Sequence, residues 1–438
     1  YAVELDDTPD SDLILASGTA TLNGGTVAVS GTALVGHTYT ILTADGGVTG
    51  EFEDLTGSVF TVLELDYDPN NVYLISRISQ SFCDVASTDN QQAAACGGLD
   101  SLPTEDPVVQ AALALETEEE ALAAFDAVSG EVHSSLRGAL ALNAQSRVSA
   151  INQRVDSAFA DLPKPDPDKK DFWNISYGSW GRTEATGNTA GLSNDVGGTL
   201  FGYDRQIGAG WLAGVAGGYS QTLLRQAGLL SSAQVDTWST GAYAAMPAGR
   251  AGVSFGALYN LHTISTDRTV SFTGFTDTLT ANYEARSWQV FGEVDYDLVL
   301  GGHTVTPFAG LSYVGHETDG FTESGGPSAL TAASGVQNTA FATLGVRHVY
   351  HPTEEIQLKT QLGWQHAFGD VDPETTFTLS DSDPFTELGA PIAENMLMVD
   401  LGFDGKIADR VIAGASYSGR YGEGTAIHGF HARLNVRF

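Results

Sequence analysis

The sequence predicts an all-β membrane protein: a twelve-stranded antiparallel transmembrane β-barrel with a lumenal α-helix, preceded by a short β-solenoid fragment. Residues 171–438 contain about twelve segments in which apolar and polar side chains alternate with the period of a β-strand. A long polar helical pattern lies before them, and short β-prone segments broken by glycine come first. The composition agrees, because 51 Gly with only 20 Lys+Arg is typical of turn-rich β structure.

Charge and hydropathy limit the classes of function. A formal net charge of −34 repels phosphate backbones and anionic bilayer surfaces, which argues against nucleic-acid binding and polybasic membrane docking. No stretch approaches the roughly 18 consecutive apolar residues of a transmembrane helix, so strands are the remaining spanning element. The chain begins without a signal sequence, and we therefore expect a processed or truncated C-terminal piece.

Residues 1–80 are expected to form the end of a β-solenoid. From Leu13 to about Ile78, short β-prone segments alternate with corners marked by glycine, as in "GTATLNGGTVAVSGTALVG" and "NNVYLISRI". A solenoid needs about three stacked repeats to bury its core. We therefore expect this piece to be the end of a longer stem.

Residues 81–170 are expected to form a helical linker. The segment "TEEEALAAFDAVSG" places Thr117 and Glu120 at the spacing of a capping box and stops at Gly130. A Pro- and charge-rich segment, "DLPKPDPDKKD", then leads into the last region.

The two cysteines flank a polar loop within this linker. A disulfide between Cys83 and Cys96 is expected in an oxidising compartment, and two free thiols are the alternative for a cytosolic protein. A zinc site would need more ligands than these two side chains provide. No metal site and no cofactor are predicted.

A second helix, expected at about 131–156, is unusually polar. At about 1.5 Å per residue it would span about 39 Å, which exceeds the ~25 Å apolar band of a membrane barrel. Small and polar side chains leave no wide apolar stripe, so it cannot be an ordinary core helix. It is either a solvated linker or a helix that threads a polar lumen. The second interpretation assigns five side chains to the lumen: Arg137, Asn143, Arg147, Asn152 and Arg154.

The twelve segments of residues 171–438 run from "DFWNISYGSWGR" to "IHGFHARLNVRF", and an even number permits closure in a bilayer. In "RSWQVFGEVDYD", Trp288 and Val290 share one face with Val294, while Glu293 and Asp295 share the other. An apolar wall with aromatic ends is typical of a lipid-facing surface, although parity alone does not say which face is outside. Glu293 and Asp295 are therefore candidate lumen acids that pair with the helix arginines.

The last residues alternate up to the terminal carboxylate. Phe430, Leu434, Val436 and Phe438 share one face of the last strand, and polar side chains occupy the other. Chain ends usually fray, so this pattern predicts a terminal strand held inside a sheet.

No segment carries a catalytic motif. "GASYSG", at Gly414–Gly419, has Ser418 where a nucleophile elbow needs glycine, and the histidines lack the spacing of metalloprotease ligands. A barrel-embedded hydrolase built from rim Asp and His side chains remains a minor alternative, because such sites assemble only in space. An open outer-membrane pore for small solutes, with the same barrel and no plug, is another.

Taken in order, these segments resemble the C-terminal part of bacterial autotransporters of the type V secretion class, over essentially the whole sequence. "GHTYTILTADGGVTGEFEDL" and "NNVYLI" resemble the last passenger rungs of these proteins. "NQQAAACGGLDSLP" and "AAFDAVSGEVHSSLRGAL" resemble the linker, and "ARSWQVFGEVDYDL", "PFAGLSYV", "TDGFTESGG" and "LGVRHVY" resemble barrel strands. The terminal Phe438 resembles the outer-membrane assembly signal.

The resemblance implies the function of an outer-membrane translocator unit, itself not an enzyme, that exports and anchors an N-terminal passenger at the cell surface. The implied partners are outer-membrane lipid, the passenger and the barrel assembly machinery, and we expect a monomer. The terminal strand would be presented to that machinery by edge pairing through Phe430, Leu434, Val436 and Phe438, or these residues only face lipid. Asn143 and Asn152 do not form the paired-Asn motif with which some members cut off the passenger, so self-cleavage is not assigned.

Overall fold

A computed structural model describes residues 1–5, 11–31, 35–55, 58–86, 92–160, 170–208 and 210–437. In chain order these residues form a set of short paired strands, a group of helices, and a large antiparallel sheet. Phe438, one of the predicted assembly-signal residues, lies outside the described residues.

In the first part of the chain, strands that are three apart in the chain order pair in parallel. β1 pairs with β4 and β4 with β7, while β2 pairs with β5 and β3 with β6. Parallel stacking of successive segments is the arrangement of solenoid rungs, and the antiparallel strands β8 and β9 follow at its end. Alternate residues such as Tyr39 and Ile41 fill its apolar core. Within the described ranges the strands are β1 (Ala2–Leu5), β2 (Ile14–Ala16), β3 (Ala20–Thr21), β4 (Thr26–Gly31), β5 (Thr38–Ala44), β6 (Val48–Thr49), β7 (Asp54–Leu55), β8 (Thr61–Tyr67) and β9 (Asn71–Ile78).

Five α-helices follow in the described part of the chain: α1 (Phe82–Val85), α2 (Gln92–Asp100), α3 (Pro107–Leu113), α4 (Glu118–Val128) and α5 (Glu131–Ala160). The Thr117 hydroxyl caps α4 by accepting from the Glu120 amide, as the spacing predicts. Gly130 separates α4 from α5 with φ of 76°, and a Cβ there would lie 2.4 Å from the Leu330 side chain. Helix α5 extends beyond the expected end near residue 156, because Ala158 and Phe159 still pack on a buried apolar cluster.

Twelve strands of the described chain close into an antiparallel barrel, which confirms the predicted strand number. The first strand pairs with the last, from Asp171↔Arg437 to Thr183↔Thr425, so neither strand presents a free edge. The barrel strands are β10 (Lys170–Thr183), β11 (Leu192–Ile207), β12 (Trp211–Gln226), β13 (Ser231–Ala248), β14 (Ala251–Phe272), β15 (Phe275–Tyr296), β17 (His303–Thr318), β20 (Gly335–Thr353), β21 (Ile356–Gly369), β24 (Asn395–Ala408), β25 (Val411–Gly422) and β26 (Thr425–Arg437). A short strand, β16 (Leu298–Leu300), adds to the edge of β17, and a 3-10 turn spans Ala227–Leu229.

The two ends of the barrel differ in their connections. At one end, here called the turn end, connections such as 249–250, 354–355 and 409–410 are short. At the other, the loop end, two long loops pair with each other through β18 (Phe321–Thr322), β19 (Leu330–Ala332), β22 (Glu374–Leu379) and β23 (Phe385–Leu388). This four-stranded loop sheet corrects one expectation. The segment "TDGFTESGG" contributes β18 to the loop sheet and is not a barrel strand, because its two paired residues bond to β19 outside the wall.

Helices α1–α4, called the helical cap, pack on the loop end. Phe82 and Phe125 of the cap share one apolar cluster with Leu279 at a strand tip and with Leu330 and Phe377 of the loop sheet. Burying this common cluster fixes the cap over the entrance through which α5 passes into the barrel.

Candidate functional site: the lumen and its mouth

The barrel wall separates an apolar outer face from a polar inner face. On β15, Trp288, Val290 and Val294 are 48%, 46% and 56% exposed, while Gln289 and Glu293 between them are buried. Alternate residues of a strand point to opposite faces, so the apolar row faces outward and the polar row faces the lumen. Apolar outside is the orientation that a lipid-facing barrel needs.

Arg154 is fastened to the wall by two carboxylates. Its side chain is fully buried, and Nη2 lies 2.7 Å from Asp204 Oδ1 and 2.9 Å from Asp171 Oδ2. The Tyr243 hydroxyl donates to Asp204, and the Trp173 indole donates to that hydroxyl at 2.8 Å. Both acids belong to the first two barrel strands, so this network anchors the second half of α5 beside the closing strand pair.

The other two arginines of the helix, Arg137 and Arg147, have uncharged hydrogen-bond partners. Arg147 donates to a β13 hydroxyl at 3.2 Å and to the Asn143 carbonyl at 3.1 Å, and Arg137 donates to a loop carbonyl. Asn143 and Asn194 of β11 exchange side-chain hydrogen bonds of 2.9 and 3.3 Å. In the described part of the chain neither arginine forms an ion pair, so their burial depends on hydrogen bonds.

Glu293 faces the helix, but its cation comes from the wall. The Asn152 amide donates to Glu293 Oε2 at 3.2 Å, and Arg347 Nη2 lies 2.6 Å from Glu293 Oε1. Arg347 also lies 3.4 Å from Asp156 of the helix. Asn152 and Asp156 are four residues apart and share one side of α5. That side of the helix therefore contacts β15 and β20 of the wall.

The expected pairing of Glu293 and Asp295 with the helix arginines is not the one in the structure. Arg154 lies two positions after Asn152, a rotation of roughly 200° around the helix, and it faces β10 and β11 instead. Asp295 lies near the turn end and accepts from the Gly252 amide. Periodicity assigned these residues to the lumen, but the rotation of the helix decides which of them meet.

A second group of ion pairs, which the sequence interpretation did not single out, lies near the terminal strand. Asp404 of β24 pairs with Lys359 at 2.6 Å and with Arg433. Lys359 also donates to Ser157 of the helix at 3.3 Å. These wall residues occupy inward positions of their strands, which is the only signal in the sequence that could have identified them.

A cavity of about 410 Å³ remains beside the later turns of α5. Gln145 and Asp156 of the helix line it together with Arg347, Asp400 and Arg420 of the wall. Its lining also includes Pro247 and Gly252, next to the turn end. The helix therefore does not fill the lumen completely, and a space lined by charged side chains remains beside it.

The mouth of the barrel holds the start of the helix. Glu131 accepts from the Ala190 amide at 2.9 Å and from the Gln226 amide at 2.6 Å. A loop backbone passes against the helix at Gly389, where a Cβ would lie 2.2 Å from the Ser135 nitrogen. Both contacts come from the loop end, so the loops close around α5 where it enters.

A buried charged cluster joins the mouth to the cap. Arg268 lies 2.6 and 3.0 Å from the two carboxylate oxygens of Glu323 and donates to the Ala127 carbonyl of the cap at 3.0 Å. His133 Nε2 lies 2.9 Å from the same carboxylate. Burial alone would raise the pKa of Glu323, but Arg268 and the bond from His133 outweigh it and hold that pKa well below its ordinary value.

The terminal strand separates its two faces as the sequence predicts for a strand within a sheet. Phe430 and Leu434 are 56% and 42% exposed on the outside, and Val436 is half-buried. Arg433 and Asn435 point inward and are buried. β26 pairs with β25 on one side and with β10 on the other.

Cys83 and Cys96 form the predicted disulfide, which links α1 to α2 in the helical cap. Within the described ranges, no three His, Cys, Asp or Glu side chains are grouped as metal ligands. Among the helices of the described residues, none combines the length and apolar character needed to cross a membrane.

Comparison with known proteins identifies a matching family and two related proteins. Residues 172–418 match the family model of the autotransporter beta-domain. Two curated proteins of Serratia marcescens, both named extracellular serine protease, are 28% identical in an alignment that covers 100% of this chain. The chain spans about half of these relatives, 48% of their length.

Solved structures of autotransporter domains align with most of this chain, and one of them has a similar fold. The translocator domain of autotransporter NalP from Neisseria meningitidis aligns with 68% of this chain and 98% of its own, at 15% identity and a TM-score of 0.54. The beta domain of the Bordetella autotransporter BrkA aligns with 62% of this chain and 99% of its own, at 17% identity and a TM-score of 0.46. At such identities the likeness concerns the fold alone.

Proposed function

This chain belongs to the autotransporter beta-domain family, and from that premise we propose how its lumen serves the export of a passenger. The chain is an outer-membrane translocator unit, and its passenger is exposed at the bacterial cell surface. Bacterial barrels have short periplasmic turns and longer extracellular loops, so the turn end faces the periplasm and the loop end faces outward.

One observation carries the mechanism: α5 passes through the barrel, and the cap and stem continue from its outer end. At about 1.5 Å per residue its 30 residues span about 45 Å, more than the ~25 Å apolar band. The described residues before Glu131 therefore lie beyond the loop end, and the covalent chain itself anchors the passenger. We place the stem end at 1–80, the linker at 81–170 and the barrel at 171–438.

We propose that the ion pairs of the lumen hold the helix after export and so keep the pore closed. Arg154 of the helix pairs with Asp204 of the wall, and Lys359, which pairs with Asp404 within the wall, donates to Ser157 of the helix. Buried charges are tolerated when they are paired and hydrogen-bonded, and removing one partner leaves the other uncompensated. Helix α5 therefore closes the pore stably only when it occupies the position in which these charges are paired.

We further propose that the terminal strand recruits the barrel assembly machinery. Before closure, β26 is an unpaired edge whose outward side chains Phe430, Leu434 and Val436, together with Phe438, offer an alternating apolar row. Pairing with β10 later removes this edge, after which the barrel acts as a monomer.

The protease name of the Serratia relatives is said of those whole proteins. We assign no hydrolytic step to the residues that the structure describes. Any enzymatic activity belongs to the passenger. The twelve-stranded wall and α5 are concerned with transport and anchoring.

Export is tested by placing an epitope before Tyr1 and labelling intact cells with an antibody that does not cross the outer membrane. We expect labelling of the complete chain. A barrel that inserts normally while its epitope stays inside the cell would contradict the proposal.

Planar-bilayer conductance separates the plugged translocator from an open solute pore. The complete chain is expected to give no large stable current, whereas residues 170–438 alone are expected to conduct because the helix is gone. Large currents from the complete chain, unchanged on removal of α5, would support the pore instead.

A further inference from the structure

Three carboxyl groups from three separate segments lie near enough to repel one another beneath the helical cap. Asp126 lies on α4 of the cap, Glu131 begins α5, and Glu387 lies on β23 of the loop sheet. The Ser134 hydroxyl donates to the Glu387 carbonyl at 2.8 Å, which holds β23 directly against α5. This contact joins the lumen helix to the loop sheet, and α2 of the cap packs on the same strand, where a Cβ at Gly98 would lie 2.7 Å from the Phe385 side chain.

Glu387 differs from the other two acids in its surroundings. Glu131 accepts from Gln226 at 2.6 Å, and Asp126 accepts from the Gln92 amide at 3.0 Å. The Glu387 side chain is 0% exposed, and within the described part of the chain neither of its carboxylate oxygens has a hydrogen-bond partner. An ionised carboxylate cannot remain buried in such a site without a large free-energy cost.

The elements packed around Glu387 supply acids but no ion-pair partner. The acid of α2, Asp100, is engaged by the amides of Phe82 and Cys83. Arg137 of α5 donates to the carbonyl of Glu374, the acid at the start of β22. In the described residues the charged groups that act on Glu387 are Glu131 and Asp126, and both repel its ionised form.

We propose that Asp126, Glu131 and Glu387 form a proton-dependent latch, in which protonated Glu387 lets the helical cap close over the barrel mouth and loss of the proton loosens it. The proposal goes beyond export and rests on the fold of the mouth alone. It assigns a role to the buried, unpaired Glu387, which neither anchors the helix through its carboxylate nor faces lipid.

The direction of the pH effect follows from the change in protonation. Burial, with Glu131 and Asp126 adding repulsion, raises the pKa of Glu387 to about 10, and burial raises the pKa of Glu131 to about 7 and that of Asp126 above its ordinary value. In the undocked cap, Glu387 meets water and titrates near its ordinary pKa of about 4.3. Between these values the docked state binds more protons at Glu387, so the contribution of this group to docking is fully present below about pH 4 and is lost as the pH rises toward about 10.

Glu387→Gln tests the latch, because the amide keeps the size of the side chain and cannot ionise. Hydrogen exchange of the α2 and α4 amides is measured in the purified full chain at pH 5 and pH 9. The variant and wild type are compared at equal pH, so the intrinsic exchange rates cancel. Glu394→Gln, an exposed position in the same loop, is the matched control.

Between pH 5 and pH 9 the ratio of wild-type to Glu387→Gln exchange is expected to rise by at least about tenfold, the change that one fully linked proton produces per pH unit. The control is expected to follow the wild type. If the amide packs imperfectly, the exchange ratio is offset equally at both pH values, and its change with pH is unaffected. Asp126→Asn is expected to reduce part of this change with pH. Heat-modifiable migration confirms a folded barrel in every variant.

Two results would overturn the latch. One is an exchange ratio that does not change between pH 5 and pH 9. The other is protection of the wild-type cap by millimolar Ca²⁺ at pH 9 that the Glu387→Gln variant lacks, since a cation would then hold the junction in place of a proton. Failure of either kind leaves export to the cell surface, measured by the epitope, unaffected.

Discussion

Arg154 shows what a buried cation needs in order to occupy the interior of this barrel. Its guanidinium meets Asp204 and Asp171, and Asp204 is further held by the Tyr243 hydroxyl. Such a network roughly offsets the desolvation of its charges, and it becomes strongly unfavourable when one partner is lost. The helix is therefore held by mutual compensation of charge in addition to the apolar packing of residues such as Val148 and Ile151.

Replacing Arg154 with Met tests this compensation. Two buried carboxylates then lose their cation, and we expect the folded barrel to lose about 3–5 kcal/mol of stability. The measurement is thermal unfolding in detergent, followed by heat-modifiable migration. Arg205→Met, at an exposed position, is the control. Asp204→Asn combined with Arg154→Met is expected to recover part of the loss, and equal melting of wild type and the single variant would contradict the role of the pair.

The last strand, β26, serves two purposes: it closes the barrel, and it is proposed to be recognised during assembly. The alternation of β26 puts Leu434 outside and Arg433 inside, and pairing with β10 closes the sheet. The same outward row that faces lipid in the finished barrel is the one proposed to be recognised before closure. Both uses depend on an uninterrupted apolar face.

Leu434→Lys is expected to impair assembly because it places a charge on the lipid face. Such a substitution costs up to about 2–4 kcal/mol at the bilayer midplane and less near the interface. The amount of heat-modifiable barrel in outer membranes is the measurement, with Leu434→Val as the matched control. Unchanged barrel in the Lys variant would show that this face neither needs to be apolar nor takes part in assembly.

The barrel and the cap bury separate apolar cores within one chain. The cap core, around Phe125, includes strand tips and loops, whereas the core around Trp173 lies between α5 and the wall. The two clusters share no residue. We therefore expect the cap to open while the barrel stays closed around its helix.

Removing the disulfide by Cys83→Ser and Cys96→Ser tests this separation. A crosslink that closes a loop of about 15 residues contributes about 3 kcal/mol in the chain-entropy model, and here it lies entirely within the cap. We expect cap exchange to quicken while the heat-modifiable transition of the barrel stays at the wild-type temperature. Should both transitions move together, cap and barrel unfold as one unit.

Much of the architecture could be predicted because it depends on local periodicity. The alternation around Trp288 and Glu293 is visible within a few residues and separates the side chains of the two faces, and the exposed fractions in the structure show that the Trp288 face is outside. The polarity of α5 likewise excluded an ordinary core helix before any partner was known. The loop sheet escaped prediction, because strands as short as Phe385–Leu388 show no period and form only by pairing with distant segments.

Local patterns in the sequence were enough to predict twelve strands, the division of each strand into an apolar and a polar face, and a polar helix long enough to cross the barrel. Tertiary structure alone decided that Arg154 meets Asp204, that Glu293 meets Arg347, and that Glu387 is buried beside two other acids. The physical reason is that a strand or helix specifies the direction of its side chains through its own geometry. Which side chains meet across the lumen depends instead on barrel closure and on the rotation of the helix inside it.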